Sequence, residues 1–437
     1  MTYQTARTFP DTAPAAPNRW LIAAASCLMQ AALGSVYAAS VFLPAIIGQY
    51  AATRAEATLV FTITILALGI TAGFGGALQR RYGPRAIATA GGMLYGLGTA
   101  LAAFAPNLPI LYLTQGVVGG IGLGLGYIVP LAMLVRWFPD HRGLITGIAV
   151  FGFGAGAAMV SPLAAAMLAA LGLQHTLLAL GAGYLVIGVG AAQLFRAAPE
   201  GYAPSGFAPG ALAASTASER DFGLTVALRS PRWYLLWLIL ALNVTAGAAL
   251  VSIASPLAQE LSGVTPGTAA LAVMALSLCN GAGRILWGWA SDRLGRPVTF
   301  AILFALQFVA FALLARVSNF PTLVALAGIV GLCFGGGFAA MPAFTVDFFG
   351  ARHAGAIYGA MLTAWGAGAT AGPLLIASVD YRSALSIIAA LMLVSAPLAL
   401  LARRETLARL ARLARQLASH VAAAGSAGAS ASASFRD

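Results

Sequence analysis

Residues 265–290 read TPGTAALAVMALSLCNGAGRILWGWA. The run exceeds the ~20 apolar residues that carry a helix across a bilayer. Inside it stands Arg284, the only ionisable side chain that the sequence places deep within any hydrophobic segment. A guanidinium at mid-bilayer costs at least ~2.5–3.5 kcal/mol on insertion scales, so such residues face a bundle interior or a wet cavity. No residue of opposite sign is expected in the membrane interior to neutralise it. The simplest missing partner is an anionic substrate. The plainer alternative is that Arg284 meets backbone carbonyls or Asn280, one turn earlier, and only holds helices together.

The rest of the chain has the same character. Its 437 residues are 60% hydrophobic and only 8% charged, with a mean hydropathy of +0.88. Soluble domains carry about 25% charged residues. The runs are long enough for helices and lack the alternation of a barrel, so the fold class is an all-α membrane protein. The net charge of +12 does not imply nucleic acid, because the basic residues lie in short loops between apolar runs. All 24 are arginine. Those in the tails and around Arg80, Arg142, Arg229, Arg293 and Arg352 fall on one side. Only Arg54, Arg316 and Arg382 fall in the opposite loops. This positive-inside bias puts both termini in the cytoplasm. The alanine-rich, lysine-free composition suggests a GC-rich genome, so the expected location is the inner membrane of a bacterium. Cys27, Cys279 and Cys333 lie in expected spans and read as small apolar packing residues, not as a disulfide frame or metal site. The first 18 residues are polar, with Pro10, Pro14 and Pro17, and lack the apolar core of a signal peptide.

Twelve spans are expected, at 20–48, 57–79, 86–105, 109–136, 143–169, 174–196, 233–259, 266–290, 298–315, 321–346, 354–378 and 382–402. They divide into six-helix halves at 20–196 and 232–402, after a cytoplasmic tail over 1–19. The Ala-, Pro-, Ser- and Gly-rich stretch 197–231 reads as a cytoplasmic linker, with a short surface helix expected over 221–228. The halves repeat at a gapless offset of 212 residues: Gly76–Gly83 aligns with Gly288–Gly295, and Asn107-Leu108-Pro109 with Asn319-Phe320-Pro321. Parallel repeats imply an axis along the membrane normal and a substrate held between the halves near the midplane. After the last span, Leu407, Leu410, Leu413 and Leu417 share one helical face, and Arg404, Arg409, Arg412 and Arg415 the other. Residues 403–420 thus read as a basic amphipathic helix on an anionic cytoplasmic leaflet, and 421–437 as a disordered tail.

The segment Gly288-x-x-x-Asp292-Arg293-x-Gly295-Arg296 resembles the loop signature of the major facilitator superfamily. Its first copy, through Arg81, Gly83 and Arg85, is degraded: Arg80 stands where the signature has Asp, and Pro84 where it has Arg. Arg136-Trp137-Phe138-Pro139-Asp140-His141-Arg142-Gly143, with Asn18-Arg19-Trp20, is similar to the oxalate/formate antiporter family and the related monocarboxylate transporters. The resemblance implies the twelve-helix major facilitator fold and gating roles for these loop residues. It also implies carboxylate binding by Arg284, whose planar fork suits a bidentate carboxylate. Family members that exchange dicarboxylates add a lysine in helix 11, where this chain has Trp365. Tyr37, Tyr127, Phe153, Phe334 and Phe338 match the family's cavity lining, and Asn280 is placed to orient the guanidinium.

One cation beside an indole suits a single carboxylate, so the expected substrate is a monocarboxylate of the lactate, pyruvate or formate type. No Asp, Glu or His is expected in the membrane interior, which favours exchange over dedicated proton symport. An oxalate/formate antiporter and a non-transporting membrane sensor are the alternatives. Nothing points to an enzyme, a cofactor or a metal site. The glycines at 119, 120, 122, 124 and 126 lie inside a span and serve close helix packing, because a phosphate loop needs a lysine the chain lacks. A monomer is expected.

Overall fold

The computed structural model describes residues 18–138, 142–199, 202, 204, 222–350 and 353–402. These are almost wholly helical. The first half holds α1 (Arg19–Tyr50), α2 (Arg54–Tyr82), α3 (Pro84–Ala102) and α4 (Leu108–Trp137). It continues through a stretch, Arg142–Gln193, which Gly172 divides with a left-handed φ of 73° into α5 (142–171) and α6 (173–193). The second half holds α7 (Pro231–Ser262), α8 (Pro266–Leu294), α9 (Arg296–Leu314), α10 (Phe320–Phe349), α11 (Gly355–Ser378) and α12 (Tyr381–Ala402). By length and composition, ten helical stretches among the described residues can cross a bilayer, against twelve expected spans. Two places account for the difference. Gly147–Gln193 counts once although Gly172 breaks it, and the 19-residue α3, rich in Gly and opening with Pro-Arg, falls outside that set.

Local chemistry sets the helix starts, and it repeats between the halves. Asn18 caps α1 by accepting from the Trp20 N–H, and Ser230 caps α7 from Arg232. Thr53 and Thr265 cap α2 and α8, and Asn107 and Asn319 cap α4 and α10. Gly83 and Gly295 both take φ 82°, a conformation that glycine adopts without steric cost, at the turns into α3 and α9. Every pair is separated by the same 212 positions. Such caps satisfy orphan N–H groups at a helix start and are each worth ~1 kcal/mol. Asn319→Ala is accordingly expected to lower stability by about 1 kcal/mol in detergent melts and leave ligand binding intact.

The halves meet through two matched helix pairs. Gly69 of α2 lies against the backbone of Leu362 and Gly366 on α11, and Ser277 of α8 donates to the Gly154 carbonyl of α5 at 2.8 Å. A third contact joins α1 to α7, where the Ser255 N–H reaches the Ser40 hydroxyl at 3.4 Å. α1 is not uniform: residues Ser35–Ala38 form a 3₁₀ turn that divides it into Arg19–Gly34 and Ala39–Tyr50. The expected surface helix is present as Leu224–Leu228. The proposed amphipathic helix 403–420, the tail 421–437, residues 1–17 and most of the linker lie outside the described residues.

Candidate substrate site

Arg284 is 2% exposed, at the middle of the bundle. Its Nε donates to Asn280 Oδ1 at 3.3 Å, one turn back on α8. Both terminal nitrogens are buried and make no hydrogen bond of full geometry, and neither does Asn280 Nδ2; the Tyr37 and Tyr127 hydroxyls are the protein groups that stand near the guanidinium. Among the described residues no carboxylate pairs with the guanidinium; the ion pairs of Arg296 with Asp292 and Asp347 lie at the end of α8, away from it. A buried unpaired donor costs ~1–3 kcal/mol, and a charged one more. The Asn280 contact engages Nε and leaves the two terminal nitrogens outside it.

The six aromatic residues expected from sequence converge around this cation. The guanidinium carbon lies 5.2 Å from the Phe338 ring centre and 5.8 Å from that of Phe153. Phe153 meets Tyr37 at 5.4 Å, Tyr127 at 5.0 Å and Trp365 at 5.6 Å. Trp365 also meets Tyr127 at 5.1 Å and Phe338 at 4.6 Å, and Phe334 touches Tyr37 and Phe338. All six are buried. The Tyr37 and Tyr127 rings lie within electrostatic reach of Arg284. The Tyr37 hydroxyl and the Trp365 indole N–H are buried without partners. Edge-to-face packing of this kind fixes ring orientation and excludes water. The result is an enclosed, donor-rich aromatic cluster around one positive charge.

Tight backbone approaches hold these side chains. Gly154 on α5 lies beside Asn280: a Cβ there would sit 2.6 Å from Oδ1. Gly247 on α7 admits the Phe334 ring, which a side chain at that position would overlap. Gly247→Leu is expected to destabilise the protein by ~1–3 kcal/mol and to weaken ligand binding, read together by melting with and without ligand.

Tyr37 sits in the 3₁₀ turn of α1, and the carbonyl of Tyr127 accepts from Gln30 Nε2 at 3.3 Å. Gln30 and Asn243 were not anticipated. Both are fully buried, each uses its amide nitrogen on a backbone carbonyl, and each leaves an amide oxygen without a partner. Their signal was an amide inside an apolar run; Gln30 also stands seven residues before Tyr37. Tyr358 on α11 lies within electrostatic reach of Arg284 and was missed too. Beside the α1 turn, a separate cavity of about 80 Å³ is lined by Ser35, Tyr95, Tyr184, Thr64 and Gln115 among others. There the Ser35 and Tyr95 hydroxyls bond at 2.8 Å.

The loop residues lie apart from this pocket. Arg296 donates to Asp292 at 2.5 Å and to the Ser291 hydroxyl, and faces Asp347 at 3.5 Å, tying α8 and α9 to α10. Arg293 stacks on Trp289 at 3.8 Å. In the first half, Arg81 lies over Tyr82, and Arg85 donates to the Gln193 carbonyl. The degraded copy thus has a cation–carbonyl tie from α3 to α6. Asp140 and the side chain of Arg142 lie outside the described residues.

Comparison with known proteins agrees with this architecture. The family model described as the Major Facilitator Superfamily matches residues 22–264 and again 236–431. An uncharacterized MFS-type transporter of Escherichia coli, YhjX, is 30% identical over 80% of this chain and 86% of its own length. The oxalate:formate antiporter of Oxalobacter formigenes is 27% identical over 81% of this chain and 82% of its own. Apicoplast pyruvate carrier 1 of Toxoplasma gondii is 29% identical over 67% of this chain and 64% of its own. Among solved structures, a bacterial homolog of the human lysosomal transporter Spinster, inward-facing and unoccupied, superposes with a TM-score of 0.67 at 15% identity. It covers 88% of this chain and 97% of that one, a likeness of fold alone. Two family matches, one per half, on an all-helical bundle with a shared set of caps make this chain a multi-pass membrane transporter of the major facilitator superfamily.

Proposed function

We propose that this protein is a secondary active transporter of a small organic anion, a monocarboxylate of the lactate, pyruvate or formate type. Arg284 binds the carboxylate, and transport proceeds by alternating access with exchange. The observation that carries the reading is a buried guanidinium that has no carboxylate partner among the described residues and whose two terminal nitrogens make no hydrogen bond of full geometry. A carboxylate fills both at once with parallel charge-assisted bonds. Tyr37 and Asn280 are further donors, Tyr127 stands beside them, and Phe153, Phe334, Phe338 and Trp365 shape the pocket. The pyruvate carrier among the relatives supports the monocarboxylate. The oxalate:formate antiporter supports the second reading, a dicarboxylate exchanger, which would need a second cation in the pocket.

Alternating access needs seals that break. Arg54, at the end of the bundle away from the termini, donates to the Val379 carbonyl at 2.9 Å and stacks on Tyr381 at 4.3 Å, joining the two halves. We place this end outside the cell and both termini in the cytoplasm of a bacterium, on the arginine bias. Arg54→Ala is expected to raise the rate at which an impermeant maleimide labels Ser255→Cys from outside, by several-fold.

The test of function is counterflow in proteoliposomes with labelled lactate, pyruvate, formate and oxalate. Exchange of the monocarboxylates with little oxalate exchange supports the reading. Efficient oxalate exchange without the others overturns it in favour of the second.

A further inference from the structure

Trp365 is fully buried, and its indole N–H has no partner. An indole nitrogen is a donor only, and a buried one ordinarily finds an acceptor. Its placement is determined by the backbone. α11 is interrupted at Leu362, between Ala354–Met361 and Thr363–Ser378, and the Trp365 N–H of the main chain bonds back to the Leu362 carbonyl at 2.9 Å. Three edge-on rings, Tyr127, Phe153 and Phe338, then hold the indole. Two of these, Phe153 and Phe338, also flank the Arg284 guanidinium. The cation and the indole therefore share one aromatic enclosure.

We infer that Trp365 is a specificity-determining donor whose indole N–H takes a second, uncharged oxygen of the substrate, so that among monocarboxylates of two or more carbons the carrier selects those oxygenated at C2, the 2-oxo and 2-hydroxy acids. This rests on the reading of Arg284 as the carboxylate anchor. The carboxylate uses the guanidinium fork, which leaves the neutral donors of the enclosure unanswered. A second carboxylate on the indole side would be desolvated against a neutral group and is disfavoured. A carbonyl or hydroxyl oxygen accepts from an N–H at no such penalty. The two residues share the flanking rings Phe153 and Phe338, which favours an oxygen near the carboxylate, as at C2. A site built to bond an oxygen discriminates strongly against an analogue that lacks it.

The test compares pyruvate and lactate with propionate, which has the same three-carbon skeleton without the C2 oxygen, as competitors of pyruvate counterflow by the full-length carrier. Wild type is expected to prefer pyruvate and lactate at least tenfold. Trp365→Phe, which keeps a ring and removes the N–H, is expected to weaken both at least tenfold more than it weakens propionate, bringing the ratio near one. Propionate competition in the same vesicles reports that the variant folds and cycles. A wild type that treats all three alike, or a variant that loses all three in proportion, overturns the inference while leaving Arg284 as anchor. If no monocarboxylate, propionate included, competes or moves, the anchor reading itself fails, and this inference falls with it. Trp365→His, which restores a ring N–H, is expected to recover part of the preference; failure to do so with propionate competition intact counts against the donor role.

Discussion

Arg284→Ala abolishes counterflow of every carried acid: this is the largest effect expected of any single substitution here. Removing one partner from a desolvated charge pair costs ~3–5 kcal/mol, or roughly 10²–10³-fold or more in affinity. Lysine is not expected to rescue, because an ammonium lacks the planar fork that takes both carboxylate oxygens. The same residue makes a second, opposite prediction for the empty carrier. Its guanidinium is buried with no carboxylate partner among the described residues, so Arg284→Met, which keeps much of the volume and deletes the charge, is expected to melt no lower than wild type without ligand. Wild type is expected to gain melting temperature with saturating pyruvate by mass action, and the methionine variant to gain none. A methionine variant that melts far lower without ligand would mean that Arg284 holds helices together through partners of its own, and the substrate reading would be lost.

The second large effect concerns the direction of flux. The empty carrier must pass through a closed state with an uncompensated cation, which insertion scales put at ~2.5–3.5 kcal/mol. At ~1.4 kcal/mol per decade this slows the empty return by roughly a hundredfold relative to the loaded one. Vesicles loaded with pyruvate are therefore expected to lose label quickly only when pyruvate is also present outside. A pH gradient is expected to drive little uptake, since no intramembrane acid was read from the sequence. Rapid uptake into vesicles empty of substrate would exclude obligatory exchange.

Much of the fold was legible in advance because hydropathy and capping are local. The spans expected from 20, 57, 109, 233, 266 and 321 begin within a few residues of the caps at Asn18, Thr53, Asn107, Ser230, Thr265 and Asn319. The count of crossings was less so. A helix as rich in glycine as α3 carries little apolarity of its own, since it is built for close approach to neighbours: Gly96 lies against Leu185 of α6. In the pocket, Arg284 was legible because a charge in an apolar run is costly wherever it points. The aromatic residues were found only through family resemblance. In a membrane helix a ring facing lipid and a ring facing a pocket have the same composition around them, so periodicity cannot separate them. Gln30 and Asn243 were passed over although the same cost argument, at smaller magnitude, applies to an amide. The Ser35–Tyr95–Tyr184 cluster was out of reach altogether, because tertiary packing alone joins residues that far apart in sequence.

The 3₁₀ turn at Ser35–Ala38 carries Tyr37 on it, and the outer segment Ala39–Tyr50 continues from it to the contact with α7 at Ser40. One pocket hydroxyl is thus mounted on the joint between two segments of the same helix. Whatever angle that joint takes, it sets where the hydroxyl stands relative to Arg284, and a ligand that grips the hydroxyl pulls on the joint in return. By thermodynamic reciprocity the two effects are equal in free energy. A molecule that engages Arg284 but not Tyr37 would be held as tightly whichever way the joint bends, and would leave the joint's angle indifferent to its presence.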